Sequence, residues 1–250
     1  MSGKKRILML TTQLGYGGAE TSFIRLANYL APSMEVTVAL FTSNYGAGAY
    51  AQGHEKLDAQ VVLLDAPQAV GRLARWWRRV WRLRQLKAQH DVCISFLSGP
   101  NLVNVLAGHN ARSIVSLRGS RHYDPVAPKF QRMCFRYLLD PLIYRLAARI
   151  VPVSEGLRYE IGGGPTVQEK ITAIAPFIDR PALEAKLRQA APEPYAVLKG
   201  QPVIVAVGRL SVEKGLHHLI RVFGDVTTQV PGAKLLLVGD GPSPKTRMRW

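Results

Sequence analysis

Only two cysteines occur in 250 residues, and Cys93 and Cys134 lie in unrelated stretches without metal-ligand spacing, so neither a disulfide framework nor a zinc site is indicated. That usage fits a reducing compartment. Acidic residues are scarce too: 17 Asp and Glu face 33 Lys and Arg, a formal net charge of +16. Such an excess calls for an anionic partner, whether nucleic acid, acidic lipid headgroups or a phosphorylated substrate. No apolar run approaches the roughly 18 residues of a membrane span. The basic start MSGKKRILML gives way to Thr11, Thr12 and Gln13 after a short apolar run, which argues against a signal peptide.

What is present reads as a globular α/β chain. Hydrophobic residues make up 47% of it, enough for a packed core in one large or two modest domains. The clearest pattern spans residues 203–242. Val203 to Val207 is a valine-rich run between Pro202 and Gly208, the mark of a strand buried on both faces. From Lys214 onward, Leu216, Leu219, Ile220 and Phe223 recur at helical spacing, and Leu235 to Val238 forms a second strand closed by Gly239, Asp240, Gly241 and Pro242. Strand, helix, strand is a βαβ unit, in which ligands bind outside the carboxyl ends of the strands. Arg209 leaves the first strand at that place, and Lys214 follows near the amino end of the helix, where unpaired N–H groups and the helix dipole favour an anion. Two fixed cations and a helix terminus suit a diphosphate. The plain alternative is that both side chains solvate a turn.

The chain start repeats this logic. Arg6 to Leu10 reads as a buried strand, followed by Gly15, Tyr16, Gly17, Gly18, Ala19 and Glu20 and then a helix with Phe23, Ile24, Leu26, Ala27 and Leu30 on its apolar side. A dinucleotide fingerprint is the weaker reading: the third glycine is missing, and the strand at Val36 to Phe41 ends in Thr42 and Ser43 without the acidic residue a ribose needs. Further strands fall at Val61 to Leu64, Asp91 to Phe96, Ser113 to Leu117 and Ile150 to Val153, with a Gly-rich loop at Asn44 to Gly48. Residues 128–148 read as one long helix with Phe130, Met133, Tyr137, Leu138, Ile143 and Leu146 apolar, broken or kinked at Pro141. Ser154 is placed to cap the next helix, with Glu155 at its positive end. His109 and His122 read as ordinary polar residues.

Residues 70–87 form the most distinctive surface stretch. At about 100° per residue, Leu73, Ala74, Trp77, Val80 and Trp81 fall on one side and Arg72, Arg75, Arg78, Arg79 and Arg82 on the other, with Trp76 and Leu83 at the boundary. A basic amphipathic helix with interfacial tryptophans can lie on an anionic membrane surface; it can equally be a crossover helix with solvated arginines. No nucleic-acid-binding motif accompanies it, so a nucleic-acid partner is not expected.

The pattern of strand, G-R-L-x-x-E-K-G, helix, strand and G-D-G-P across residues 203–242 resembles the donor domain of family 4 glycosyltransferases, which have the GT-B fold, and Gly17 to Glu20 resembles the G-G-A-E loop at the start of those enzymes. The resemblance implies an α/β, GT-B-like architecture. Residues 1–180 form an N-terminal Rossmann-like parallel sheet flanked by helices on the acceptor side, 181–201 a linker, and 202–250 the start of a second Rossmann-like domain that binds a nucleotide diphosphate sugar. Arg209 and Lys214 would then hold the diphosphate and stabilise the leaving group, with Gly17, Gly18, Gly239 and Gly241 also on the donor. Arg118 stands where many relatives carry a histidine facing the transferred sugar, and is expected to be a catalytic cleft residue. The implied activity is retaining transfer to a glycan or lipid-linked acceptor in cell-envelope polysaccharide synthesis, without a cofactor or metal, at the cytoplasmic face of the membrane. Arg75, Arg78, Arg79, Arg82 and Trp76 are expected on the acceptor or membrane side. An E-x7-E segment of the family would fall past Trp250, so the chain is expected to be truncated in its second domain and impaired. The alternative is a non-catalytic remnant or a membrane-binding module.

Overall fold

The computed structural model describes residues 3–15, 17–42, 57–65, 71–120, 128–176, 178, 180–188, 198 and 200–239. The chain divides into two compact units, parted at 177–178. In the first, strands β1 (Arg6–Thr11), β2 (Glu35–Leu40), β3 (Gln60–Leu63), β4 (Val92–Phe96), β5 (Ser113–Leu117) and β6 (Arg149–Pro152) lie in the order β3-β2-β1-β4-β5-β6. Every neighbouring pair is parallel. The order reverses between β1 and β4, which opens a crevice at their carboxyl ends.

The helices α1 (Gly18–Leu30), α2 (Arg72–Ala88), α3 (Ser98–Leu106), α4 (Lys129–Cys134) and α5 (Asp140–Leu146) connect these strands. Strand β1 is apolar from Ile7 to Leu10 because both its faces are covered. Ile7 and Met9 pack with Phe23, Ile24 and Ala27 of α1. Leu8 and Leu10, pointing the other way, pack with Val80 and Leu83 of α2 and Val103 of α3. Each such side chain contributes about 1.5–3 kcal/mol of burial. Helix α3 is also pinned by polar contacts. Asn101 Nδ2 donates to the Ser116 carbonyl at 3.0 Å, Ser95 Oγ donates to Asn101 Oδ1 at 2.8 Å, and Asn104 Nδ2 donates to Ser95 Oγ at 2.9 Å.

Helix α2 is turned differently from the sequence expectation. Val80, Leu83 and Lys87 are buried, and Trp76 is partly buried against the core. Leu73, Trp77 and Trp81 are 79%, 63% and 60% exposed. Arg79 turns inward: it makes a paired contact with Asp65, both N–H···O distances being 2.6 Å, and stacks over Phe41. Arg82 donates to the carbonyls of Leu63 and Leu64. The end of β3 thus supplies acceptors that select the helix face, and a periodicity count alone cannot contain that information.

The long helix of residues 128–148 is continuous but irregular just before Pro141, where a break or kink was expected. It is not broken at Pro141: α4 runs into a π-helical turn, Phe135–Leu139, and then into α5, with Pro141 in the first turn of α5. The wider turn sits where the proline ring would press on the preceding carbonyls. Ile143 is buried, whereas Phe130, Met133, Tyr137 and Leu138 are exposed. After β6, Ser154 Oγ accepts from Leu157 N at 3.2 Å and caps α6 (Glu155–Tyr159), as expected. A short helix α7 (Pro165–Gln168) and a bridge from Ile150 to Ile171 close the unit.

In the second unit, α8 (Arg180–Leu187) overlaps the stretch 181–201 read as a linker. Strand β7 (Val203–Val207), a 3-10 turn at Val212–Lys214, α9 (Leu216–Gln229) and β8 (Lys234–Val238) make the expected parallel βαβ unit. Strand β7 is not buried on both faces: Ile204, Val205 and Val207 are exposed. A single helix between two strands covers only one side of the pair.

Candidate functional site

At the carboxyl ends of β7 and β8 two glycines meet back to back. Gly208 N donates to the Val238 carbonyl at 2.9 Å, and a Cβ on Gly239 would run into the Gly208 carbonyl oxygen. Only glycine fits there. The chain then turns tightly, with Ser211 N donating to the Arg209 carbonyl and Lys214 N to the Ser211 carbonyl. Gly215, at φ 63°, starts α9 without a side-chain cap. Arg209 and Lys214 are both exposed at this corner, and Lys214 Cε lies 3.9 Å from where a Cβ on Gly208 would stand. The corner therefore combines two cations, a close backbone approach and the positive end of a 14-residue helix. Gly241 lies outside the described residues.

Sequence reasoning passed over Ser211. Its Oγ is buried and has no hydrogen-bond partner among the described residues. A hydroxyl inside the G-R-L-S-V-E-K-G turn was the available signal. His217 and His218, at the start of α9 with ring centroids 3.9 Å apart, were also overlooked.

The first unit carries a separate crevice. Gly17 is the N-cap of α1, and the Glu20 carboxylate folds against it, so the helix's own acid meets its positive end. Gly18 opens the first turn. Arg118 follows β5 and lies 4.1 Å over the Phe96 ring, which in turn meets Phe23 of α1 edge-on at 5.1 Å. Its Nε is buried without a partner among the described residues. Burial pushes the Arg118 guanidinium down to about 10. Beside it, Ser120 Oγ donates to Glu160 Oε2 at 2.5 Å. Leu97, just before α3, holds φ 71°, a strained value for a non-glycine residue. His109 is a left-handed residue capping a 3-10 turn, and His122 and the Asn44–Gly48 loop lie outside the described residues. On α2, Arg75 and Arg78 are exposed, whereas Arg79, Arg82 and Trp76 are partly buried.

The Glycosyl transferase 4-like domain family matches residues 17–176, and Glycosyl transferases group 1 matches residues 188–250. An uncharacterized glycosyltransferase of Methanocaldococcus jannaschii is 41% identical over 61 residues, 22% of this chain and 15% of that protein. Among solved structures, Anabaena HepE in complex with UDP and glucose is 22% identical, with a TM-score of 0.67, over 96% of this chain and 62% of that one. Sucrose-phosphate synthase from Thermosynechococcus elongatus is 16% identical, with a TM-score of 0.66, over 94% of this chain and 62% of that one. The chain thus spans under two thirds of the length of either structure. The fold is the α/β, GT-B-like one that the motifs imply, with a Rossmann-like parallel sheet in the first unit and an incomplete one, a single parallel βαβ, in the second.

Proposed function

Because the chain belongs to the Glycosyl transferase 4-like domain family, we propose that it transfers a sugar, with retention of configuration, from a nucleotide diphosphate sugar to a hydroxyl of a glycan or lipid-linked acceptor in cell-envelope polysaccharide synthesis. The observation that carries this reading is the corner at Gly208, where Arg209 and Lys214 stand at the amino end of α9 and Gly239 leaves the backbone uncovered. The crystallised relative Anabaena HepE holds UDP-glucose, which supports a uridine nucleotide as the first donor to try. Arg209, Lys214 and the helix terminus neutralise the diphosphate without a metal ion, where charge develops as the leaving group departs. The C1–O bond to the diphosphate breaks, the acceptor oxygen bonds to C1 on the same face, and the hydroxyl proton passes to a leaving phosphate oxygen.

Calorimetric titration of the purified chain with UDP and UDP-glucose tests the donor site. A charge-assisted hydrogen bond contributes about 1.5–3 kcal/mol, so R209Q or K214Q is expected to weaken UDP roughly 10- to 100-fold, and EDTA is expected to change nothing. Unchanged UDP affinity in a folded R209Q/K214Q double variant overturns the assignment.

A second observation supports attachment at the cytoplasmic membrane face. Leu73, Trp77 and Trp81 make an exposed apolar row on α2, beside exposed Arg75 and Arg78 and with no acidic residue anywhere in the helix. Among the described residues no helix is long and apolar enough to cross a membrane, so the contact is a peripheral one. It serves a lipid-linked acceptor equally well in a chain that catalyses and in one that only binds.

A further inference from the structure

We infer that Arg118 is the seat of an oxyanion on the acceptor, so that the first unit takes a sugar or lipid-linked sugar bearing a phosphoryl or carboxylate group. This rests on the glycosyl-transfer reading, but its physical basis lies wholly within the first unit.

A guanidinium has five N–H donors and no way to shed its charge near neutral pH. Burying part of it without a counter-charge is costly, and buried arginines are normally met by a carboxylate or by carbonyls. Elsewhere in this unit the chain obeys that rule: Arg79 has Asp65, Arg82 has two carbonyls, and Arg112 NH1 donates to the carbonyls of Lys87 and His90. Arg118 departs from it. Its buried Nε has no acceptor among the described residues, and the cause of its lowered proton affinity is desolvation by burial. On the turn that follows, Ser120 donates to Glu160 at the end of α6, so that carboxylate already has a partner.

The side chain is nonetheless fixed. Phe96 holds the guanidinium plane from one side, and Phe23 braces Phe96. Three elements, α1, β4 and β5, thus converge to orient one cation at the carboxyl end of a parallel sheet, the edge where such folds bind ligands. Strained Leu97 sits at the same edge and starts α3 there, which adds the positive end of a nine-residue helix. An oriented guanidinium whose buried Nε–H has no acceptor among the described residues is preorganised for the fork geometry of a phosphate or carboxylate.

The test uses the full chain carrying R209Q/K214Q, which silences the diphosphate corner, and follows the arginine Nε–H signals by heteronuclear NMR. Inorganic phosphate and glucuronate are titrated separately. The expected result is a saturable shift of the Arg118 Nε–H signal, identified by its absence in R118K, with one or both ligands. A phosphate response alone points to a phosphorylated acceptor, and a glucuronate response alone to an acidic sugar. The R118Q variant is expected to bind the responding anion at least about 10-fold more weakly; because the primary readout is taken with Arg118 intact, a folding failure of R118Q does not decide the matter. If the Arg118 signal responds to neither anion, or only in the unsaturable manner of bulk ionic strength, the inference is overturned. UDP affinity of the unmodified chain is read in parallel, so failure of the donor reading appears separately.

Discussion

Lys87 Nζ donates to Ser113 Oγ at 2.7 Å, joining the last turn of α2 to the first residue of β5 through a lysine that is almost wholly buried. The same ammonium donates to the carbonyls of Asn104 and Gly108, and Ser113 Oγ donates on to Asn104 Oδ1 at 3.1 Å. All three protons of the ammonium are used. The polar contacts pinning α3 therefore continue into α2, and this network holds the strand from which Arg118 emerges.

Burial pushes the Lys87 ammonium down to about 8 from its ordinary value of 10.5. The unfolded chain then binds more protons than the folded one between these values, so Lys87 makes stability rise with pH from about 8 to about 10.5. Burial raises neighbouring Cys93 to about 12 from 9.0, which opposes that rise above about pH 9. Urea midpoints of C93A are expected to increase across pH 8 to 10, and those of C93A/K87M to lose the increase. Lys87→Met also leaves three acceptors without a donor, a loss of about 1–3 kcal/mol at pH 7. A flat pH response in C93A contradicts the assignment.

Asp65 and Arg79 are both largely buried and paired through two N–H···O contacts. Asp65→Asn keeps the shape but strands the guanidinium, and is expected to lower stability by about 1–3 kcal/mol, well above the cost of an exposed pair. Chemical denaturation measures this directly; a change under about 0.5 kcal/mol shows the pair to be surface-like.

The sheet and the Gly208 corner were legible because their signals are local: valine runs, a glycine turn, then cations at fixed spacing. The phase of α2 was not. Both Trp76, Val80 and Leu83 and Leu73, Trp77 and Trp81 fit a helical period, and the choice between them was made by Asp65 and the acceptors at the end of β3, distant in sequence. Arg118 could be placed at a strand end, but its stack on Phe96 joins residues 22 positions apart and left no trace in composition. Phe130, Met133, Tyr137 and Leu138, read as the apolar side of one helix, are exposed around a π-turn that has no sequence code of its own.

The α2 geometry sorts the arginines for a membrane test. Vesicle sedimentation with phosphatidylglycerol is expected to weaken in W77S/W81S and in R75Q/R78Q, by roughly 5-fold for each basic residue lost near the surface. In R79Q it is expected to stay unchanged, because that arginine is spent on Asp65. Three of the four tryptophans lie in α2, so binding is also expected to blue-shift the intrinsic fluorescence. Equal losses in R79Q and R75Q/R78Q contradict the orientation.

Two glycines of the second unit make opposite predictions. Gly239 abuts the Gly208 carbonyl, so Gly239→Ala must push β8 away from the corner that carries Arg209 and Lys214. UDP affinity is expected to fall at least about 10-fold, with a loss of stability at the upper end of what single substitutions cause, above about 3 kcal/mol. Gly224 lies within α9, exposed, with nothing within 4 Å of where a Cβ would stand. Gly224→Ala is therefore expected to stabilise the chain by about 0.5–1 kcal/mol through helix propensity, with UDP affinity unchanged. If Gly239→Ala binds UDP as tightly as the unmodified chain, the close approach of the two strand ends has no part in holding the diphosphate.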